Sequence, residues 1–179
     1  FVSNAAGDLY FLEVNARLQV EHPVTEAVTG LDLVEQQLLV ASGERLTPAV
    51  LAASSCGHAI EARVYAEDPG RGFLPQPGRI EALSWPSGEG IRVDSGVAQG
   101  LEVTSHYDPM LAKIIAYGSN RAEAIARLDR ALESTRLRLV GPKADRVTNL
   151  QFLRTALAAP EFAAGNYDTG LAEKLAKRP

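Results

Sequence analysis

The 179-residue sequence is poor in the residue types that would commit it to several common classes. Its one cysteine, Cys56, cannot form a disulfide within the chain, which excludes a disulfide-stapled scaffold and fits a reducing compartment. No apolar run approaches the roughly 18–20 residues that a membrane helix needs. Neither sign of charge dominates: 18 basic against 22 acidic groups give no global attraction to nucleic acid or anionic lipid. Fifteen Gly and ten Pro are far from a collagen or linker composition. There is no initiator Met, signal peptide or basic transit segment, and Phe1 opens in what reads as the tail of a strand, so a portion of a longer chain is expected. No Lys precedes Lys113, and no Gly-rich loop of the phosphate-cradling kind is present. What remains is 46% hydrophobic and 22% charged, enough for one globular domain, or one plus a fragment, and too apolar for disorder.

The chain divides by texture. Asn4–Asp8 is a turn cluster, and Leu9-Tyr10-Phe11-Leu12 after it reads as a buried strand. Leu31, Val34, Leu38 and Leu39 recur at helical spacing, with Asp32 placed to cap and Gly43 at the stop position. Residues 46–56 are small, polar and Pro-interrupted, the expected linker between a unit 1–45 and a unit 57–179. In the second unit, short strand-like runs recur at 59–66, Arg79–Leu83, Ile91–Asp94 and Leu111–Tyr117, predicting an antiparallel sheet or partial barrel. Asn120 with Glu123 forms a capping-box pattern before the stripe Ala124, Ile125, Leu128, Ala131, Leu132. A strand at Arg138–Val140, a helix near Asp145–Ala158 and a last helix from Thr169 complete an α+β expectation.

One segment departs from ordinary structure: Glu13-Val-Asn-Ala-Arg-Leu-Gln-Val-Glu21-His-Pro23. In an extended chain its odd positions, Glu13, Asn15, Arg17, Gln19 and Glu21, share one face. A half-exposed strand with a solvated polar face is one reading. The other is a site, because the face mixes two acids, two amides and one Arg, with no Thr, Ser or Lys. At roughly 3.3 Å per residue a straight ribbon would hold Glu13 and Glu21 about 26 Å apart. For one small-molecule site, therefore, the chain must bend between Asn15 and Glu21, with His22-Pro23 ending the run. Glu13 and Asn15 offer hard oxygen donors suited to Mg²⁺ beside a nucleotide's phosphates, though two donors are too few for a complete site. Arg17 and Gln19 suit a small planar anion, and Glu21 is a candidate base.

The run Glu13-Val-Asn-Ala-Arg-Leu-Gln-Val-Glu-His-Pro-Val-Thr-Glu26, followed by Thr29-Gly-Leu-Asp32, resembles the signature of biotin carboxylase, the ATP-grasp component of biotin-dependent carboxylases. The resemblance continues through Ile60–Arg63, Ala66–Pro69, Phe73–Pro75, Gly90–Arg92, Tyr107–Met110 and Thr148-Asn149, with acyl-CoA carboxylase α-subunits most similar. It implies the end of an ATP-grasp lobe (1–45) followed by a biotin carboxylase C-terminal domain (57–179). Glu13 and Asn15 match the metal positions for Mg²⁺ or Mn²⁺; Arg17, Gln19, the Val20 backbone and Glu21 match the bicarbonate pocket. By the same resemblance Glu21 deprotonates bicarbonate, which attacks ATP to give carboxyphosphate. Arg17 stabilises the biotin enolate, and Arg92 holds phosphate or the biotin ureido oxygen. Biotin would arrive as a substrate on a carrier protein or domain, since no Met-Lys-Met tripeptide is present. The implied partners are that carrier, a carboxyltransferase subunit and a second copy of the chain, with no nucleic acid and no membrane. The implied location is the cytoplasm or, alternatively, the mitochondrial matrix. Taken alone, the segment is expected not to turn over ATP.

Two other readings stand beside this one. The chain could act as an interaction module that dimerises through the sheet of residues 59–118 and helix 120–135. It could also belong to another ATP-grasp ligase such as a carbamoyl-phosphate synthetase, which shares the Glu-x-Asn-x-Arg core. On sequence alone Arg92 reads as a surface strand residue, and Glu61, Arg63, Glu67 and Asp68 as structural salt bridging. His22 fits a turn as well as catalysis, and His58 and His106 lack ligands at zinc spacing. Ser95, Ser105 and Asp108 sit in no nucleophile elbow, which counts against a hydrolase triad.

Overall fold

The structure, a computed structural model, describes residues 1–4 and 6–177. Strands β1 (Val2–Ser3) and β2 (Leu9–Tyr10) form a short antiparallel hairpin. The Asn4 carboxamide oxygen closes its turn by accepting from the Asp8 amide at 3.0 Å; Ala5, within the expected turn cluster, lies outside the described residues. Residues 11–20 carry no strand and bend at Arg17 before helix α1 (His22–Thr29). Pro23 stands in the first turn of α1, where a missing N–H costs nothing, and Gly30 ends it in the left-handed conformation at φ 71°. Helix α2 (Leu33–Ala41) starts where expected, with Asp32 Oδ1 accepting from the Glu35 amide at 2.8 Å. The 46–56 stretch contains a single-turn helix, α3 (Pro48–Leu51), capped by Thr47.

Beyond it lie β3 (His58–Tyr65), a small pair β4 (Glu67–Asp68) and β5 (Leu74–Pro75), β6 (Gly78–Ser84), β7 (Ile91–Ser95), β8 (Glu102–Val103) and β9 (Met110–Gly118). Helix α4 (Arg121–Ser134), β10 (Arg136–Val140), β11 (Asp145–Arg146) and helices α5 (Leu150–Leu157), α6 (Pro160–Ala164) and α7 (Leu171–Ala176) follow. The strands form two antiparallel sheets, ordered β3-β9-β7 and β11-β10-β6-β8. The architecture is α+β, as the spacing of short strands predicts.

Period-two alternation decides where the core lies. In the three-stranded sheet Ile60, Ala62, Val64, Ile114 and Ala116 face one way and pack on Ala124, Leu128, Ala131 and Leu132 of α4 and on Leu157 of α5. The opposite face carries charge and is covered by α1, which lies across β3 and β9. Strand β9 is thus buried on both sides, and its neighbour β3 forms the sheet edge. Asn149, itself buried, finishes that edge. Its side chain accepts from the Tyr65 amide at 2.8 Å and donates to the Arg63 carbonyl at 2.9 Å, where the β3–β9 register shifts.

Three local expectations change. Leu9, Phe11 and Leu12, read as a buried strand, are 71%, 67% and 63% exposed, because a two-stranded ribbon leaves both faces open and Phe1, edge-on to Phe11, is itself exposed. The helix expected from Asp145 begins at Leu150, since Asp145 and Arg146 pair instead with β10. The last helix begins at Leu171 rather than Thr169, and α6 was not anticipated. The capping expectation at α4 holds: Asn120 Oδ1 accepts from the Glu123 amide at 3.0 Å, and the Glu123 carboxylate returns to Ser119 rather than to Asn120.

Leu128 is 1% exposed at the centre of the α4–sheet contact. Truncating it (Leu128→Ala) is expected to cost about 2–5 kcal/mol by chemical denaturation, the range for emptying a well-packed site. A loss under about 1 kcal/mol would place the core elsewhere.

Candidate active site

The geometry follows from strand register. On the charged face of the three-stranded sheet, Arg63 of β3 stands opposite Lys113 of β9, which stands opposite Asp94 of β7. The neighbouring row runs Glu61, Ile115, Arg92. Two rows of side chains therefore present two acids and three cations to the underside of α1, whose own contributions are Glu21 at its N-terminal cap and Glu26.

Of the motif residues, Val20 and Glu21 meet this face, at one end, while Glu13, Asn15 and Arg17 stay exposed. The required bend is present: the chain turns at Arg17 and again at Val20–Glu21. His22 stabilises the second turn, its amide donating to the Gln19 carbonyl at 3.2 Å and its ring Nδ1 lying 2.7 Å from the same oxygen. Glu21 occupies the N-cap position of α1 but makes no capping bond, which leaves its carboxylate to meet Arg63 Nη2 at 2.7 Å. The ion pair is half-exposed and lines a cavity of about 340 Å³ with Glu61, Val24, Arg121 and Phe162. Arg121 is held in place by donating to the Phe162 carbonyl at 2.6 Å and lying over the Phe162 ring.

Glu13 and Asn15 are exposed and joined by a hydrogen bond from the Asn15 side-chain amide nitrogen to Glu13 Oε1 at 3.2 Å. Among the described residues no three His, Cys, Asp or Glu side chains are grouped to hold a metal. Arg17 is exposed and donates only weakly, to the Leu18 carbonyl at 3.3 Å. Gln19 and Val20 are half-buried beneath the turn.

Arg92 does not join Glu21. Its Nη1 donates to Glu26 at 2.6 Å, while Nε and Nη2 take both oxygens of Asp94 at 2.8 and 2.9 Å. The reason is topological: β9 stands between β7 and β3, and Arg92 sits in the Glu61 row rather than the Arg63 row, so the two guanidinium-bearing positions lie two strand spacings across and two residues along, roughly 12 Å apart. The Asp94 hydrogen bonds come first in holding the Arg92 guanidinium charged, against its burial, with Glu26 adding to them. Burial opposes the Asp94 charge, but Arg92 and Lys113 outweigh it and hold the carboxyl below its usual range. Glu26 also accepts from the Leu33 amide at 2.7 Å, so it ties α1, α2 and β7 together.

The salt bridging expected of Arg63 is present, to Glu21 at 2.7 Å and to Glu61 at 3.7 Å; the partner and the buried Lys113 beside it are what the sequence did not indicate. The available signal was alternation: Glu61 and Arg63 sit at the polar positions of a strand whose other face is Ile60, Ala62, Val64. Glu61 is the outlier of the group. Its side chain is 4% exposed and neither oxygen has a hydrogen-bond partner; the nearest cation in its own strand, Arg63 Nε, is 3.7 Å away. Burial raises its pKa; Lys113 and then Arg63 pull it back, and Glu21 pushes it further up.

A family model described as biotin carboxylase C-terminal domain matches residues 61–174, and one described as carbamoyl-phosphate synthase L chain, ATP binding domain, matches residues 1–49. The chain belongs to the biotin carboxylase family. The biotin carboxylase of Halalkalibacterium halodurans is 49% identical over 162 residues, which is 90% of this chain and 34% of that protein. The α subunit of mitochondrial methylcrotonoyl-CoA carboxylase from Mus musculus is 44% identical over 170 residues, covering 94% of this chain and 23% of that one. Among solved structures, the biotin carboxylase domain dimer of Hydrogenobacter thermophilus 2-oxoglutarate carboxylase, in complex with MgADP, ADP and bicarbonate, superposes with a TM-score of 0.90 at 36% identity, over 99% of this chain and 38% of that one. The chain thus spans about a third of the length of the bacterial biotin carboxylase it matches.

Because Glu61 binds its proton more tightly folded than unfolded, the folded state holds more protons above the ordinary glutamate value of 4.5, and stability falls as pH rises through that window. Glu61→Gln removes the titration. Denaturation curves from pH 4.5 upward should show the variant gaining on the wild type as pH climbs, whereas equal slopes would mean Glu61 ionises as readily in the fold as out of it.

Proposed function

We propose that this chain is the C-terminal portion of a biotin carboxylase of the acyl-CoA carboxylase α-subunit type. The reaction is the ATP- and bicarbonate-dependent carboxylation of carrier-bound biotin by way of carboxyphosphate. The observation that carries the proposal is the Glu21–Arg63 pair at 2.7 Å beside the turn made by Arg17–Glu21. The two family matches, ending at residue 49 and starting at 61, support a division into the end of an ATP-grasp lobe at 1–45, a linker at 46–56 and the C-terminal domain at 57–179.

In this reading Glu21 is the base that takes the bicarbonate proton. A free N-terminal position on α1, with no capping bond to break, lets its carboxylate turn toward a bound anion. Arg63 orients the Glu21 carboxylate, and its guanidinium is placed to meet a carbonate-sized anion or the ureido oxygen beside it. This role falls to Arg63 rather than Arg92, which is committed to bracing Glu26 and Asp94. Arg17 and Gln19 bind the anion with the Val20 backbone, and Arg17, exposed and weakly held, is free to stabilise the biotin enolate. Glu13 and Asn15 would hold Mg²⁺, which when bound neutralises the nucleotide's phosphate charge for in-line transfer.

Relatives named as carboxylase subunits support a biotin carrier and a carboxyltransferase as partners, and the dimeric structural neighbour supports a homodimer. Among the described residues no helix is long and apolar enough to cross a membrane. The cytoplasm is the proposed location, with the mitochondrial matrix as the alternative that the mouse relative favours.

In the intact carboxylase carrying this sequence, Glu21→Gln should lower bicarbonate-dependent ATP turnover by about 100-fold or more, and Arg17→Ala should abolish its stimulation by biotin, both with unchanged melting behaviour. Near-normal turnover in Glu21→Gln would remove the proposed base.

A further inference from the structure

Lys113 is the least expected side chain on the charged face. It sits mid-strand in β9, the strand buried on both sides, and is 9% exposed. Its neighbour on the same face, Ile115, shows that an apolar residue would pack beneath α1 there. Withdrawing an ammonium from water costs several kcal/mol unless charge and hydrogen bonds offset it. It also lies directly across from Arg63, and like charges in cross-strand register repel. Helix docking alone accounts for neither cost.

The contacts of Lys113 show where its charge is directed. Nζ donates to the Val20 carbonyl at 3.0 Å and pairs with Asp94 Oδ2 at 3.3 Å. The Val20 carbonyl lies just ahead of α1, whose opening turn bonds run through Gln19 and Glu21, as in the Val24 amide donating to the Glu21 carbonyl at 3.1 Å. The peptide that carries it is the one joining Val20 to Glu21, so holding its plane fixes the backbone from which the Glu21 side chain departs. The two cross-strand cations thus grip two consecutive residues: Lys113 the Val20 peptide oxygen and Arg63 the Glu21 carboxylate. Asp94 offsets the Lys113 charge and is in turn tied to Arg92 and, through it, to Glu26 of α1.

We infer that Lys113, supported by Asp94, is a positioning residue for the base Glu21 and for the Val20 backbone in bicarbonate activation. The inference rests on the biotin carboxylase reading above. Lys113 touches no reacting atom; it sets the distance at which Glu21 meets the anion. A displacement of an ångström at a reacting group can cost about 100-fold in rate, so its loss should register in bicarbonate kinetics rather than in nucleotide binding.

The test is steady-state bicarbonate-dependent ATP turnover of the intact carboxylase, varying bicarbonate and ATP separately. Lys113→Met should lower kcat/KM for bicarbonate by about tenfold or more while KM for ATP stays within about twofold, and Lys113→Arg, which keeps charge and donors, should recover most of the loss. A Lys113→Met enzyme with bicarbonate kcat/KM within about twofold of wild type overturns the inference. So does a rise in KM for ATP as large as the loss in kcat/KM for bicarbonate, which would mark a purely structural lysine. If Lys113→Met does not fold, Asp94→Asn decides: it keeps the shape and removes the counter-charge, and should raise KM for bicarbonate at least about threefold, whereas an unchanged KM overturns the inference. Glu21→Gln in the same assay separates the two levels. If it leaves turnover intact the functional reading fails; if it abolishes turnover while the Lys113 and Asp94 variants behave as wild type, only the positioning role fails.

Discussion

Everything at this site depends on how α1 lies on the charged face of a three-stranded sheet. A helix over a sheet normally meets it through apolar side chains. Here only Ile115 plays that part among the central residues, and the contact is otherwise made by alternating cations and carboxylates: Arg63, Lys113 and Asp94 in one row, Glu61 and Arg92 in the next, with Glu21 and Glu26 from above. Buried ionic layers contribute little net stability compared with well-packed hydrocarbon, but they specify geometry, because removing one partner leaves another uncompensated. The turn carrying Val20 and Glu21 is placed by that specificity.

The layer is not uniformly satisfied. Glu26, Asp94, Arg92 and Lys113 form a closed chain of short contacts. Glu61, one residue pair away, has both oxygens buried without hydrogen-bond partners and is shifted toward its neutral form. The short anionic contact of Arg63 is with Glu21, at 2.7 Å, while Glu61 stands 3.7 Å from its Nε. The apolar core on the other face of the sheet provides the stability that this face does without, and Asn149 fixes the edge of β3 at Arg63, so the cation reaches across from a rigid strand.

Much of this was legible in the sequence. The alternation of polar groups from Glu13 to Glu21 set the segment apart from ordinary structure. Elementary distance required a bend, and the chain bends at Arg17 and turns at Val20–Glu21. Short strands separated by Pro and Gly, and the Asn120 cap, gave the second unit its elements within a few residues. Strand order was not legible. Arg63 and Arg92 look equivalent on a linear chain, and only the order β3-β9-β7 puts the first beside Glu21 and the second on the far side of Lys113. Burial of Leu9–Leu12 was misjudged for a related reason: hydrophobicity indicates that a segment seeks a covering layer, while whether the chain supplies one is a tertiary fact. Lys113 was invisible because an isolated lysine in an apolar strand carries no pattern.

The central claim is that Arg63, and not Arg92, is the guanidinium that serves Glu21. Its most direct test compares Arg63→Met with Arg92→Met in the intact carboxylase at equal folded fraction, reading bicarbonate-dependent turnover. The structure predicts a fall of about 100-fold or more for Arg63→Met and less than about tenfold for Arg92→Met, the scale expected when a donor at the reacting centre is lost and when a brace is lost. The reverse order, with Arg92→Met inactive and Arg63→Met near wild type, would contradict it.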